Sequence, residues 1–328
     1  MDPVTFEVMQ DPVSTVDGHT YERSAVEQWF AQGKDTSPLT NAVLGSTALT
    51  PNITLRNAIE QWQTTYCKQI SRQSIELHEE IGTGSFKKVH RGTLRLPGAS
   101  ERTVAVLQVH SGDIAAEAAI LRCLGRHPRL VTFYGSCTEG LESLLLTEYA
   151  PLGDVRSQLE AIEDTITPAH RLAMLQQICS GMEAVADAGL VHRDLALRNV
   201  LLFAYDPDDV ALTSVKVADF GLTVNAYTAK RAYVQGGAMP VRYLSPESLR
   251  KGRYSEKSNV WAFAVTTWEL LTDGDTPYYG LATDEAVIAH VVGGGLLQSP
   301  EHCPDIGMRR RRASPRCPAT GRTLLGWR

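Results

Sequence analysis

The stretch His192-Arg193-Asp194-Leu195-Ala196-Leu197-Arg198-Asn199 limits what this chain can fold into more than any other. One short loop carries an Asp and an Asn five positions apart, Asp194 and Asn199. Such a pair can divide two tasks of phosphoryl transfer, with the carboxylate taking the proton of an attacking hydroxyl and the amide oxygen holding a divalent cation on phosphates. The run Val200-Leu201-Leu202-Phe203 follows at once and reads as a short buried strand. After a second strand, Val215 to Ala218, comes Asp219-Phe220-Gly221. A second carboxylate there could meet the same cation, and the glycine allows the chain to turn sharply behind it.

With Ser245-Pro246-Glu247 downstream, this ordered set resembles the catalytic half of a protein kinase. The resemblance implies ATP and Mg2+ as cofactors, a protein substrate, Asp194 as the base, and Asn199 and Asp219 as metal ligands. Upstream, Ile81-Gly82-Thr83-Gly84-Ser85-Phe86-Lys87-Lys88-Val89 is similar to the glycine hairpin that covers ATP phosphates in that family, with Gly82, Gly84 and Val89 at the nucleotide. Val104-Ala105-Val106 should lead into the family's phosphate-binding lysine, with Ala105 against the base, but the next residue is Leu107. A missing charge there ordinarily marks an inactive kinase. The text Gly84-Ser85-Phe86-Lys87, however, is similar to the phosphate loop of the with-no-lysine kinases, which implies that Lys87 supplies the amine from the neighbouring strand.

Further implied roles are Glu117, on a helix from Ile114 to Leu124, for organising that lysine, and Glu148 to Ala150 for reading the adenine edge behind Thr147. Arg171 to Ala188 reads as a helix leading into the catalytic loop. Ala196 and Arg198, two and four residues after Asp194, together with Pro240-Val241-Arg242-Tyr243, resemble the tyrosine-kinase and tyrosine-kinase-like groups. Tyr227 and Tyr233 lie where added phosphate could order the loop through an arginine such as Arg193. Asn259 replaces an Asp that anchors the catalytic loop in the family, and beyond Asp305 the resemblance stops.

Residues 1–67 read as a separate small domain. Asp17-Gly18 is a hairpin-turn signal, Ser24 with Glu27 a capping box for a helix that Gly33 ends, and Leu55, Ile59, Trp62 and Tyr66 form the stripe of a second helix. The text from Phe6 to Val13, Gly18 to Arg23, Trp29, Ser37 to Thr40 and Leu49 to Asn52 is similar to the U-box, the metal-free relative of the RING domain. The resemblance implies that ubiquitin and a ubiquitin-conjugating enzyme are partners, the enzyme docking on Val4, Phe6, Trp29 and Pro38, and that hydrogen bonds and salt bridges stand in for zinc. Asn41 stands where several members carry a basic residue.

The expected architecture is α+β: a U-box over 1–67, a polar linker over 68–74, a bilobal kinase domain with an incomplete C-lobe over 75–305, and an Arg-rich disordered tail over 306–328. That tail holds seven arginines and no acid, so the net −5 of the whole chain becomes −12 for the remainder, which argues against nucleic acid as a partner. Six scattered cysteines without a C-x-x-C pair read as free thiols, and no apolar run is long enough to span a bilayer. A cytoplasmic protein is expected. The favoured reading is a bifunctional kinase and ubiquitin ligase. The alternatives are a pseudokinase scaffold with ligase activity alone, and an adaptor with both modules inert.

Overall fold

A computed structural model describes residues 2–5, 9, 11–66, 69–83, 87–109, 114–139, 143–225 and 239–300, with 60–66 as backbone only. The N-terminal unit is built on the expected hairpin. Strands β1 (Pro12–Ser14) and β2 (Thr20–Glu22) pair antiparallel, and Gly18 takes a φ of +84° in the turn. Helix α1 (Arg23–Ala31) follows, and Gly33, at φ +77°, closes it by donating to the Phe30 carbonyl at 2.9 Å. The capping box fails: the helix begins one residue before Ser24, and its N-cap Glu22 makes no side-chain cap. Tertiary bonds hold that end instead. The Glu22 carboxylate accepts from the Asp11 N–H at 3.1 Å, and Arg23 Nε donates to Asp11 Oδ2 at 2.6 Å.

Strand β3 (Thr50–Pro51), not foreseen in the sequence, adds to the other edge of β1, and helix α2 (Ile53–Tyr66) starts at Asn52, whose Oδ1 accepts from the Leu55 N–H at 3.0 Å. An edge strand tolerates the missing N–H of Pro51. Val13, Tyr21 and Val26 form the small core, and the Tyr21 hydroxyl meets Ser37 Oγ at 2.8 Å inside it. Polar bonds fasten this unit around its small core. The Asp2 carboxylate, almost wholly buried, accepts from the N–H groups of Val4, Thr5 and Glu22, and Asp11 pairs with both Arg23 and Arg56.

The second unit opens on a five-stranded antiparallel sheet. Its strands are β4 (Ile75–Thr83), β5 (Lys87–Leu94), β6 (Arg102–Val109), β7 (Phe133–Cys137) and β8 (Ser143–Glu148), in the order β4-β5-β6-β8-β7, with α3 (Ile114–Leu124) packed against β7 and β8. Residues alternate between faces. Val104, Val106, Leu144 and Leu146 form one apolar layer with Ile75 and Leu94, while Leu145 and Leu107 face the larger core below. Part of the expected linker belongs to this layer: Ile70 is buried there and its N–H donates to the Ser136 carbonyl at 2.9 Å.

The helical half contains α4 (Val155–Ile162), α5 (Pro168–Asp187), β9 (Leu190–Val191), β10 (Val200–Ala204), β11 (Ser214–Val217), β12 (Val224–Asn225), α6 (Pro246–Lys251), α7 (Glu256–Leu271) and α8 (Asp284–Val292). Helix α5 starts earlier than Arg171 because Thr167 and His170 form a reciprocal capping box with Pro168 in the first turn. Cys123 and Cys137 are free thiols, but Cys179, expected free, is disulfide-bonded. Sequence spacing does not report which thiols meet in space. Among the described residues no helix is long and apolar enough to cross a membrane. The tail over 306–328, Tyr227 and Tyr233 lie outside the described residues.

Candidate active site

Strand register decides which lysine faces the cleft. On β5 and β6, Lys87 stands opposite Val109, Val89 opposite Leu107 and Arg91 opposite Ala105, and β6 places Ala105 opposite Thr147 on β8. These positions share one face of the sheet, so Lys87 projects from the same surface as the leucine that occupies the usual lysine position. Lys87 Nζ lies 3.1 Å from Glu117 Oε1 on α3 and 2.6 Å from Asp219 Oδ1. Lys88 faces the other way and makes an exposed pair with Glu80 at 3.2 Å.

Burial works to lower the Lys87 pKa, but Asp219 and Glu117 together hold it above its ordinary value. Burial is the largest single influence on Asp219 and works to raise it, but the Lys87 charge and hydrogen bond, with the Gly221 N–H, together outweigh it and leave that carboxyl below its usual range. Glu117 is raised, because burial exceeds the pull of Lys87 and the Asp219 charge adds to it. Gly221 permits this crowding: a Cβ there would sit 3.3 Å from Glu117 Oε2 and 3.4 Å from Asp219 Oδ1. Asp219 itself has φ +61°, a conformation that Asp tolerates better than most residues.

The β10–β11 hairpin brings the other two groups to the same place. Val200 pairs with Val217, and the Ala218 N–H donates to the Asn199 carbonyl at 2.9 Å, setting Asn199 beside Asp219. Asn199 Nδ2 donates to Asp194 Oδ2 at 2.9 Å and to the Asp194 carbonyl at 2.7 Å, so its amide oxygen is the atom left to meet a cation. Arg198 pairs with the other Asp194 oxygen. Burial pushes the Asp194 carboxyl upward and Arg198 pulls it part of the way back. An amide oxygen and a carboxylate suit magnesium, which takes few protein ligands and completes its shell with phosphate oxygens and water. Among the described residues no three His, Cys, Asp or Glu side chains could hold a metal by themselves.

Three buried residues support the loop; Asn259 was singled out in the sequence, whereas the supporting roles of His192 and Glu269 were not. His192 is fully buried, and its pKa is pushed down to about 4, so the ring is neutral. Nε2 donates to the Ala218 carbonyl at 3.1 Å while Nδ1 accepts from the Asp194 N–H at 3.3 Å, which ties the two motif loops together. Asn259 on α7 accepts from the His192 N–H at 3.0 Å and donates to the Leu190 carbonyl at 3.2 Å, so the amide serves both sides of the loop. Glu269, also on α7 and nearly fully buried, accepts from the Leu197 N–H at 3.0 Å. Its signal was present, since a charged residue inside an apolar helix needs a buried partner.

At the sheet's inner edge the Glu148 side chain is held by Lys216 at 2.6 Å and Thr132 at 2.8 Å, and its N–H is committed to the Thr132 carbonyl at 2.8 Å. Ala150 and Thr147 are buried beside it, and Val89 and Gly82 are neighbours in the hairpin above, 3.8 Å from a Cβ placed on the glycine. Gly84 lies outside the described residues.

In the N-terminal unit, Val4 packs on the small core, and Trp29 is half-buried, with Nε1 donating to the Thr36 carbonyl at 2.9 Å and Lys34 3.7 Å over the ring. Pro38 is half-buried next to Leu39, which is 51% exposed, and Val43 at 75% stands farther along the same loop. Leu39 and Val43 were not singled out in the sequence. Phe6 lies outside the described residues. Asn41 has φ +59°, which supplies a backbone reason for Asn at that position.

A U-box domain model matches residues 1–67, and the model of protein tyrosine and serine/threonine kinases matches residues 75–308. Curated relatives include Ephrin type-B receptor 4b of Danio rerio, 30% identical over 76% of this chain and 27% of its own length. Human Ephrin type-A receptor 5 is 32% identical over 73% of this chain and 23% of its own length. Human Ephrin type-A receptor 1 is 34% identical over 68% of this chain and 23% of its own length. The chain thus spans about a quarter of the length of these relatives. A kinase domain implies, in general, the use of ATP and a divalent metal, and a U-box suggests a ubiquitin-conjugating enzyme as partner. The chain belongs to the protein tyrosine and serine/threonine kinase family and carries a U-box domain ahead of its kinase domain.

Proposed function

We propose that this chain is an active protein kinase whose phosphate-binding amine comes from Lys87, joined to a U-box that recruits a loaded ubiquitin-conjugating enzyme. The observation that carries the kinase reading is Lys87 Nζ held between Glu117 and Asp219 at 3.1 and 2.6 Å. When bound, ATP with Mg2+ supplies the γ-phosphoryl group and the neutralising charge. Asn199 and Asp219 would hold the metal, and Lys87 the phosphates, with Gly82, Gly84, Val89, Ala105, Glu148 and Ala150 around the nucleotide. Asp194 orients the incoming hydroxyl and accepts its proton, while the paired Arg198 favours its charged form against the effect of burial.

Tyrosine is the favoured acceptor. Ala196, where the loop carries no lysine, is fully buried against Tyr243 and Val265, and Arg198 pairs with Asp194 at the catalytic edge. In the U-box, Val4, Phe6, Trp29 and Pro38, extended by the exposed Leu39, form the docking patch. Leu107 in the usual lysine position favours a second reading, a pseudokinase scaffold with ligase activity alone. Transfer of labelled γ-phosphate by the purified chain with magnesium, followed by phosphoamino-acid analysis, tests the first. No transfer, with no nucleotide binding by calorimetry, would leave the second.

A further inference from the structure

A cavity of about 280 Å³ lies at the far end of the N-terminal sheet, between the close of β5, the start of β6 and the end of α3. Lys87 begins β5 and Leu94 ends it, seven residues or roughly 23 Å away, so this cavity is separate from the catalytic cleft. Three arginines line it, Arg102, Arg122 and Arg126, and no carboxylate does. Arg122 Nε is buried without a hydrogen-bond partner, and none of the three has an ion-pair partner among the described residues. Elsewhere on this sheet arginines are paired, as Arg91 is with Glu79 and Arg95 with Glu76 and Glu101. Arg102 is held in position by stacking 4.6 Å over the Tyr134 ring. The remaining wall is mostly apolar, formed in part by Leu121 and Phe133, with Ser100 among it.

We propose that this cavity binds a phosphate monoester carried on an apolar, preferably aromatic, stem. Three unopposed guanidiniums match a dianion better than a single carboxylate, and their planar forks suit phosphate oxygens. The volume exceeds what a bare phosphate fills, and the Leu121, Phe133 and Tyr134 wall accounts for the remainder as a seat for the stem.

The test is calorimetric titration of the full chain with phenyl phosphate, inorganic phosphate and phenol, with a non-hydrolysable ATP analogue at saturation to keep the probe out of the cleft. Phenyl phosphate is expected to bind at one site at least tenfold more tightly than inorganic phosphate or phenol. Arg122→Gln and Arg126→Gln are each expected to weaken it at least tenfold. Arg126 is exposed, so its variant keeps the fold, and its circular-dichroism melting curve checks this, should Arg122→Gln prove unstable. No heat from phenyl phosphate at millimolar concentration, or unchanged affinity in Arg126→Gln, overturns the site. Equal affinity for phenyl phosphate and inorganic phosphate overturns the stem.

Discussion

Replacing Lys87 by Met removes a cation whose side chain is 14% exposed and whose Nζ lies 3.1 and 2.6 Å from two carboxylates. Two effects follow. In catalysis, loss of a preorganised charge beside a developing anion lowers the rate on the order of 10²–10³-fold. At about 1.4 kcal/mol per decade this is about 3–4 kcal/mol of transition-state stabilisation. In the fold, Glu117 and Asp219 are left as like charges in a low-dielectric site, and breaking such a buried pair costs about 3–5 kcal/mol. Part of that is relieved because Glu117, already raised by burial, takes up a proton. Lys88→Met is the matched control. Its pair with Glu80 is exposed on the opposite face, and surface pairs contribute about 0–1 kcal/mol. Leu107→Lys in the Lys87→Met background places an amine on the same face opposite Val89 and is expected to restore part of the rate. Single-turnover transfer of γ-phosphate and urea denaturation measure the two effects separately. Equal rates in wild type and Lys87→Met would refute the relocated amine; equal losses in Lys87→Met and Lys88→Met would refute the assignment of faces.

Asp194→Asn is expected to abolish transfer while leaving nucleotide affinity within about twofold, because the loop carboxylate acts on the hydroxyl and not on ATP; binding by calorimetry and transfer by label check the split. The acid limb of kcat/KM is expected above the range of an ordinary aspartate, because burial raises Asp194, and Arg198→Ala should move it to still higher pH by removing the cation that favours the charged form. A limb that stays put in Arg198→Ala would show that another group titrates. Asn259→Ala leaves the buried His192 N–H and Leu190 carbonyl unpaired and is expected to destabilise the kinase unit by about 2–4 kcal/mol in urea melts. Phe6→Ala and Leu39→Ala are each expected to slow ubiquitin discharge from a loaded conjugating enzyme at least tenfold without shifting the melting temperature, as apolar docking anchors do; full-speed discharge in both would reject the patch.

The order of motifs and the two-unit architecture were legible in the chain, as were the residues that the structure brings together around Lys87, because each rests on local text. Asp194 and Asn199 share one loop, Asp219 precedes a glycine, and strands such as Ser143–Glu148 are short apolar runs. The shared face of Lys87 and Leu107 was also legible, since the two positions depart from the usual pattern together. What failed was whatever depends on contacts distant in sequence. The start of α1 is held by Asp11 and Glu22 and not by Ser24, and Pro51 enters an edge strand that no local pattern announces. Cys179 is disulfide-bonded despite uninformative spacing.

The sequence by itself determined which amine, carboxylate and amide groups are present for such a site, since that is a matter of side-chain chemistry and spacing. Only the tertiary structure decided that they converge. The β5–β6 register turns Lys87 toward the cleft, the β10–β11 hairpin sets Asn199 beside Asp219, and α7 supplies Asn259 and Glu269 to pin the loop from below. Register and helix docking are settled by burial of whole apolar faces, a property of many residues together, and so no single motif could report them.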